Sequence, residues 1–178
     1  EIIKLRMSKD EKEVALIKES IDTTNNAILE VMKNHKKIHN EMQAEAYYDF
    51  INRSEGKNAS FTSIVAAGKN GTILHYVDNN TDIEKNSLLL MDVGCYTKHY
   101  SSDISRTFPV SGKFTDRQKA VYEVVLDCNK KISKEKRKVS REKLARLSFF
   151  LLYTICDFIS IEFTNIVFKF IIFPLKKV

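Results

Sequence analysis

Two short apolar runs joined by a polar return constrain this chain more than any other feature. Residues 88–93, Leu-Leu-Leu-Met-Asp-Val, read as a buried strand. Residues 103–110, Asp-Ile-Ser-Arg-Thr-Phe-Pro-Val, read as a second strand, with Pro109 at its edge or end. Residues 97–102 carry the chain back between them. Asp92 closes the first run, and Asp103 opens the second eleven positions later. A carboxylate at the end of a buried strand is costly unless a cation or several donors meet it. Two such carboxylates brought together by a short return suit a hard or borderline divalent ion, which prefers oxygen ligands. From spacing alone another outcome is the commoner one: Asp103 pairs with Arg106, and Asp92 caps a turn with Gly94.

The rest of the first 130 residues supplies helices and further strands. Ser8-Lys-Asp-Glu11 has the form of a capping box, and Val14, Ile17, Ile21, Ile28 and Val31 follow at helical spacing. A second helix is expected over 40–53, with Met42, Ala46 and Phe50 on its apolar face. Residues 61–67 read as a strand, 68–71 as a glycine turn and 72–77 as the returning strand. Thr115-Asp-Arg-Gln118 is a second capping box, opening a helix with Ala120, Val121, Val124, Val125 and Cys128 on one face. Helices flanking three or four strands make an α+β arrangement.

Composition narrows the function classes. The chain has 178 residues, 43% of them apolar, which suffices for one core. Its net charge of +6 is local: residues 130–146 alone carry +7, while residues 1–129 sum to −2. A nearly neutral body gives no case for nucleic-acid binding. The three cysteines (Cys95, Cys128, Cys156) form no CxxC pair, and no signal peptide opens the chain, so a reducing, cytoplasmic setting is expected. Neither GxGxxG nor a Walker pattern is present, and Gly68–Gly71 is no nucleotide loop. The opening residue is Glu1, which suits a fragment, with Met7 the first internal start.

Three linked motifs carry a family resemblance over about residues 8–130. They are Asn70-Gly-Thr-Ile-Leu-His75-Tyr76, then Met91-Asp-Val-Gly94, then Tyr100-Ser-Ser-Asp103-Ile-Ser-Arg-Thr-Phe-Pro-Val-Ser-Gly-Lys-Phe114. Together they resemble the pita-bread metallopeptidases, in the branch of Xaa-Pro aminopeptidase (aminopeptidase P) and prolidase. The resemblance implies the first half of a pita-bread fold. Asp92 would be a terminal ligand of one metal and Asp103 would bridge two, usually manganese. His75 would face the substrate and act on the scissile amide. The implied substrates are peptides with proline at the second position, and the family often forms homo-oligomers. His99 lies between the aspartates but is a loop histidine by the same resemblance. His35 and His39 end a lysine-rich helix, Cys95 lacks a histidine partner, and Arg106 reads as a structural partner of a carboxylate.

The family's centre takes five protein ligands: two aspartates, then one histidine and two glutamates. No histidine follows His99, and the later glutamates match none of the family's motifs. Residues 131–178, basic and then Phe/Ile-rich, stand where the second half should be. Their composition is that of a truncated or frameshifted product of AT-rich DNA. Asp157, Glu162 and Lys169 keep the apolar stretch short of the roughly 20 residues that a membrane span needs. Two expectations follow: a metallopeptidase chain that is inactive alone, or a non-enzymatic fragment whose tail binds a membrane or a partner.

Overall fold

A computed structural model of the chain describes residues 2–136. Within that span the helices are α1 (Ile2–Met7), α2 (Glu11–Lys33), α3 (Glu41–Ser54) and α4 (Asp116–Lys136). The strands are β1 (Asn58–Ala59), β2 (Ile64–Ala67), β3 (Leu88–Val93), β4 (Cys95–Thr97), β5 (Tyr100–Ser101) and β6 (Ile104–Pro109). They form two antiparallel sheets, ordered β2-β3-β6 and β1-β4-β5. Residues 2–71 and 75–113 make one compact unit, and Thr72–Leu74 belong with residues 114–136 in a second. No helix among the described residues is long and apolar enough to cross a membrane. The tail beyond Lys136 lies outside the described residues.

In the first unit β2 and β3 are buried on both faces, as their unbroken apolar runs require, while the middle of the edge strand β6 is partly exposed. One face carries Val65, Ala67, Leu89, Met91, Val93, Ile104 and Phe108 into a core with Ala27, Ile28 and Val31 of α2 and Ala44 and Tyr48 of α3. The sheet register places Ile64, Leu90, Asp92 and Ser105 on the opposite face. Asp92 and Ser105 therefore stand on the face turned away from this core.

Three local expectations change. The capping box that opens α2 is Asp10 with Glu13, not Ser8 with Glu11: the Glu13 amide donates to Asp10 at 2.8 Å and the Asp10 amide to Glu13 at 2.7 Å. Ser8 directly follows the last residue of α1, so Asp10 is the residue placed in the extended conformation that a cap needs. Helix α3 buries Glu41, Ala44, Tyr48 and Asn52, and the expected face of Met42, Ala46 and Phe50 points to solvent. The Asn40 cap, accepting from the Gln43 amide at 2.8 Å, and the bonds of Glu41 fix that rotation.

Residues 72–77 form no strand. Gly68–Thr72 is a 3₁₀ turn, and an irregular loop follows it. The outer edge of β2 has no ladder to offer: Asn79 accepts the Val65 amide at 2.9 Å, and Glu41 accepts the Ala67 amide at 2.6 Å. Side chains thus occupy the donors a returning strand would use, and β2 pairs with β3 on its other edge. In the second unit the expected box does open α4. The Thr115 amide donates to Gln118 at 2.9 Å and the Gln118 amide to Thr115 at 3.3 Å, with Phe114 against Tyr122 and Val125 buried.

Candidate metal and substrate site

The polar return between the two aspartates is a tight hairpin. One register runs without a slip from Leu88 opposite Pro109, through Val93 opposite Ile104, to Thr97 opposite Tyr100. Between those stretches the Ser102 amide donates to the Cys95 carbonyl at 2.9 Å, which keeps the pairing in phase and sets Gly94 opposite Asp103. Lys98 and His99 form the two-residue tip, both at positive φ (46° and 73°), the conformation of a type I′ turn.

The pleat then decides where the carboxylates go. Asp92 stands opposite Ser105, so these two share one face, and continuation of the pleat one residue beyond β6 puts Asp103 on that face as well. Asp92 and Asp103 are diagonal neighbours on adjacent strands, a relationship that separates Cα atoms by roughly 7–8 Å. Asp92 is 2% exposed, and the Ser105 hydroxyl donates to its Oδ1 at 2.7 Å. Asp103 is half-buried at the mouth of β6. The Arg106 guanidinium donates to the Ser105 carbonyl at 2.8 Å.

Gly94 makes the close packing behind the carboxylates possible. A Cβ there would fall well inside contact distance of the Ser102 carbonyl, the Ser60 hydroxyl and the Phe61 ring. Cys95 beside it is fully buried, with Thr24 donating to its Sγ at 3.4 Å and its thiol donating to the Ser20 carbonyl at 3.3 Å. Ser102 joins the same cluster through Thr24 at 2.7 Å. These bonds tie the hairpin to α2 and account for Cys95 as a structural residue.

His75 arrives from a different element. The 3₁₀ turn before it lies on the carboxylate face of the sheet, where Gly71 sits beside Ala66 and Leu90. His75 is exposed and holds φ +53°, a conformation uncommon for a residue with a side chain. Ile73, Leu74 and Val77 around it are each about half exposed. The other histidines stand elsewhere: His35 is half-buried with Nδ1 at 2.8 Å from the Met32 carbonyl, His39 is exposed, and His99 is at the hairpin tip.

Tyr76 and Glu41 were not singled out by sequence reasoning. Tyr76 turns inward next to His75 and donates to Glu41 at 2.7 Å. Burial, with the Glu41 carboxylate beside it, pushes its phenol above the ordinary range. Burial likewise raises Glu45, which accepts from Asn79 at 3.0 Å. Among the described residues no three His, Cys, Asp or Glu side chains stand together as a metal cluster. Two carboxylates are the right donors for a divalent ion, but they are not a full coordination set.

The model of metallopeptidase family M24 matches residues 15–146. The chain belongs to that family. A probable Xaa-Pro aminopeptidase of Phaeosphaeria nodorum is 44% identical to it over 127 residues, which are 70% of this chain and 27% of that protein. Aminopeptidase P from E. coli with the inhibitor Pro-Leu superposes with a TM-score of 0.69 at 33% identity, over 72% of this chain and 29% of that one. A zinc-substituted form of the E. coli enzyme in complex with product superposes at 0.67, with 33% identity and the same shares. The M24 chain described here therefore spans under a third of the length of these relatives. Its α+β architecture is the aminopeptidase P, pita-bread type expected from the three motifs, over part of the catalytic domain.

Proposed function

We propose that this chain carries one part of an Xaa-Pro aminopeptidase centre, with Asp92 and Asp103 as metal ligands and His75 as the substrate-facing residue. The observation that carries the reading is the hairpin register, which sets two aspartates eleven positions apart as diagonal neighbours on one sheet face. A divalent pair, manganese by resemblance, would supply a hydroxide nucleophile and polarise the scissile carbonyl when bound. The chain's own residues do the rest: Ser105 orients Asp92, and exposed His75 reaches the amide or its developing charge. A prolyl amide has no N–H and a fixed φ, so its recognition rests on shape. The substrates in this reading are peptides with proline second, and the setting is cytoplasmic.

The four histidines of the sequence end at His99, so no later histidine ligand lies in these 178 residues, and the later glutamates match none of the family's motifs. The chain by itself is therefore inactive in this reading. Manganese titration followed by NMR tests the ligand assignment, since the paramagnetic ion broadens only nearby resonances. Asp92, Asp103 and Ser105 are expected to broaden first; broadening that spares them overturns the assignment. Turnover of an Xaa-Pro peptide by the purified chain with manganese would overturn the inactivity.

A further inference from the structure

Glu41 is fully buried, at the first position of α3, and its four hydrogen-bond partners are all neutral donors. Its Oε1 accepts from the Ala67 amide at 2.6 Å and from the Asn70 side chain at 2.9 Å. Its Oε2 accepts from the Tyr76 hydroxyl at 2.7 Å and from the Thr81 amide at 2.9 Å. The Glu41 amide in turn donates to the Thr81 carbonyl at 3.0 Å. One carboxylate thus closes the start, middle and end of the loop from Asn70 to Thr81. His75 lies in that loop, immediately before Tyr76.

We infer that Glu41 is a positioning residue for His75, holding the loop from Asn70 to Thr81 so that His75 stays outward in its left-handed conformation. The inference rests on the proposed role of His75, and the argument is physical. A buried carboxylate without a cation is expensive, and here its desolvation is offset by donors drawn from β2 and from this one loop. A residue with a side chain keeps a positive φ only where the surroundings over-determine it. Tyr76 pins the chain directly after His75. Asn79, itself at φ +46°, adds a second clamp by accepting from Val65 at 2.9 Å and donating to the Ser63 carbonyl at 2.9 Å.

The test is Glu41→Gln in the full chain, compared with Thr24→Ala, which weakens the buried Cys95 cluster of the same unit without touching the loop. Glutamine keeps the shape but turns an NH₂ toward two donors, so one pair of bonds is lost. In Glu41→Gln the His75 ring resonances are expected to shift, and exchange of the Ala67 or Thr81 amide is expected to rise at least about tenfold. In Thr24→Ala the His75 resonances stay at their wild-type positions. Unshifted His75 resonances in Glu41→Gln, or an equal shift in Thr24→Ala, overturn the inference. If Glu41→Gln lacks a cooperative melt, Tyr76→Phe removes only the contacts of one hydroxyl, to Glu41, Asn70 and Thr81, and the same His75 comparison decides. These readouts need neither metal nor turnover, so they fail or succeed separately from the manganese titration.

Discussion

Ser105 meets the buried carboxylate of Asp92 from directly across the β3–β6 ladder, its hydroxyl donating at 2.7 Å. A hydrogen bond to a charged, desolvated group is among the stronger kinds, and removing its donor leaves the carboxylate short of a partner. Ser105→Ala is expected to destabilise the chain by about 1.5–3 kcal/mol. Urea denaturation checks this, with the midpoint falling and the slope unchanged.

Asp92→Asn and Asp103→Asn separate metal ligation from packing. Each amide keeps the volume of its carboxylate but removes a charge that a divalent ion needs. Manganese-induced broadening at the hairpin is expected to vanish in the double variant and to weaken in each single one. Unchanged broadening in the double variant would remove both residues from the ligand set.

Strands β2, β3 and β6 were legible because β-branched and apolar runs with turn signals between them report directly on a buried sheet, whereas the short β1, β4 and β5 carry no such run. The hairpin carrying the aspartates was legible for the same reason, although its tip is tighter than a loop over 97–102 suggests. Glu41 was not legible. Its partners lie 26, 29, 35 and 40 positions away, and a glutamate at the start of a helix looks like an ordinary dipole-favoured charge. The same bonds explain two misreadings, because they rotate α3 away from its Met42–Phe50 stripe and occupy the β2 edge that residues 72–77 were expected to join. Local pattern reports which residues are apolar; it does not report which buried polar group overrides them.

Gly94 is fixed by close approach. Its φ needs no glycine, but a Cβ would run into the Ser102 carbonyl, which is backbone and cannot swing aside. Gly94→Ala is expected to cost about 1–3 kcal/mol or more and to pull the two arms of the hairpin apart next to Asp103. Amide exchange at Cys95 and Ser102 should rise together with the fall in melting temperature.

His99 carries the opposite expectation. It holds φ +73° at the hairpin tip, is exposed, and has no role in the proposed centre. Glycine adopts that conformation freely, so His99→Gly is expected to stabilise the chain by up to about 1 kcal/mol. Manganese broadening at Asp92 and Asp103 should be unchanged. A loss of broadening in this variant would instead bring His99 into the site.

Alkaline pH reaches the core through Tyr48. Its ring is fully buried against α2 and the sheet, with the Thr24 and Asn52 side chains near its hydroxyl but outside good hydrogen-bonding geometry. Burial pushes the phenol up to about 12. An unfolded tyrosine ionises near 10, so the folded state holds its proton more tightly and the unfolded state releases it first. Stability is therefore unaffected below pH 10 and falls as pH rises toward 12, by roughly 2–3 kcal/mol from this group. Tyr48→Phe removes both the ionisation and the unsatisfied hydroxyl. It is expected to leave stability at pH 7 the same or higher, and to flatten the decline between pH 10 and 12. Denaturant midpoints measured across that range for the two proteins decide it, and parallel curves would place the alkaline sensitivity in another group.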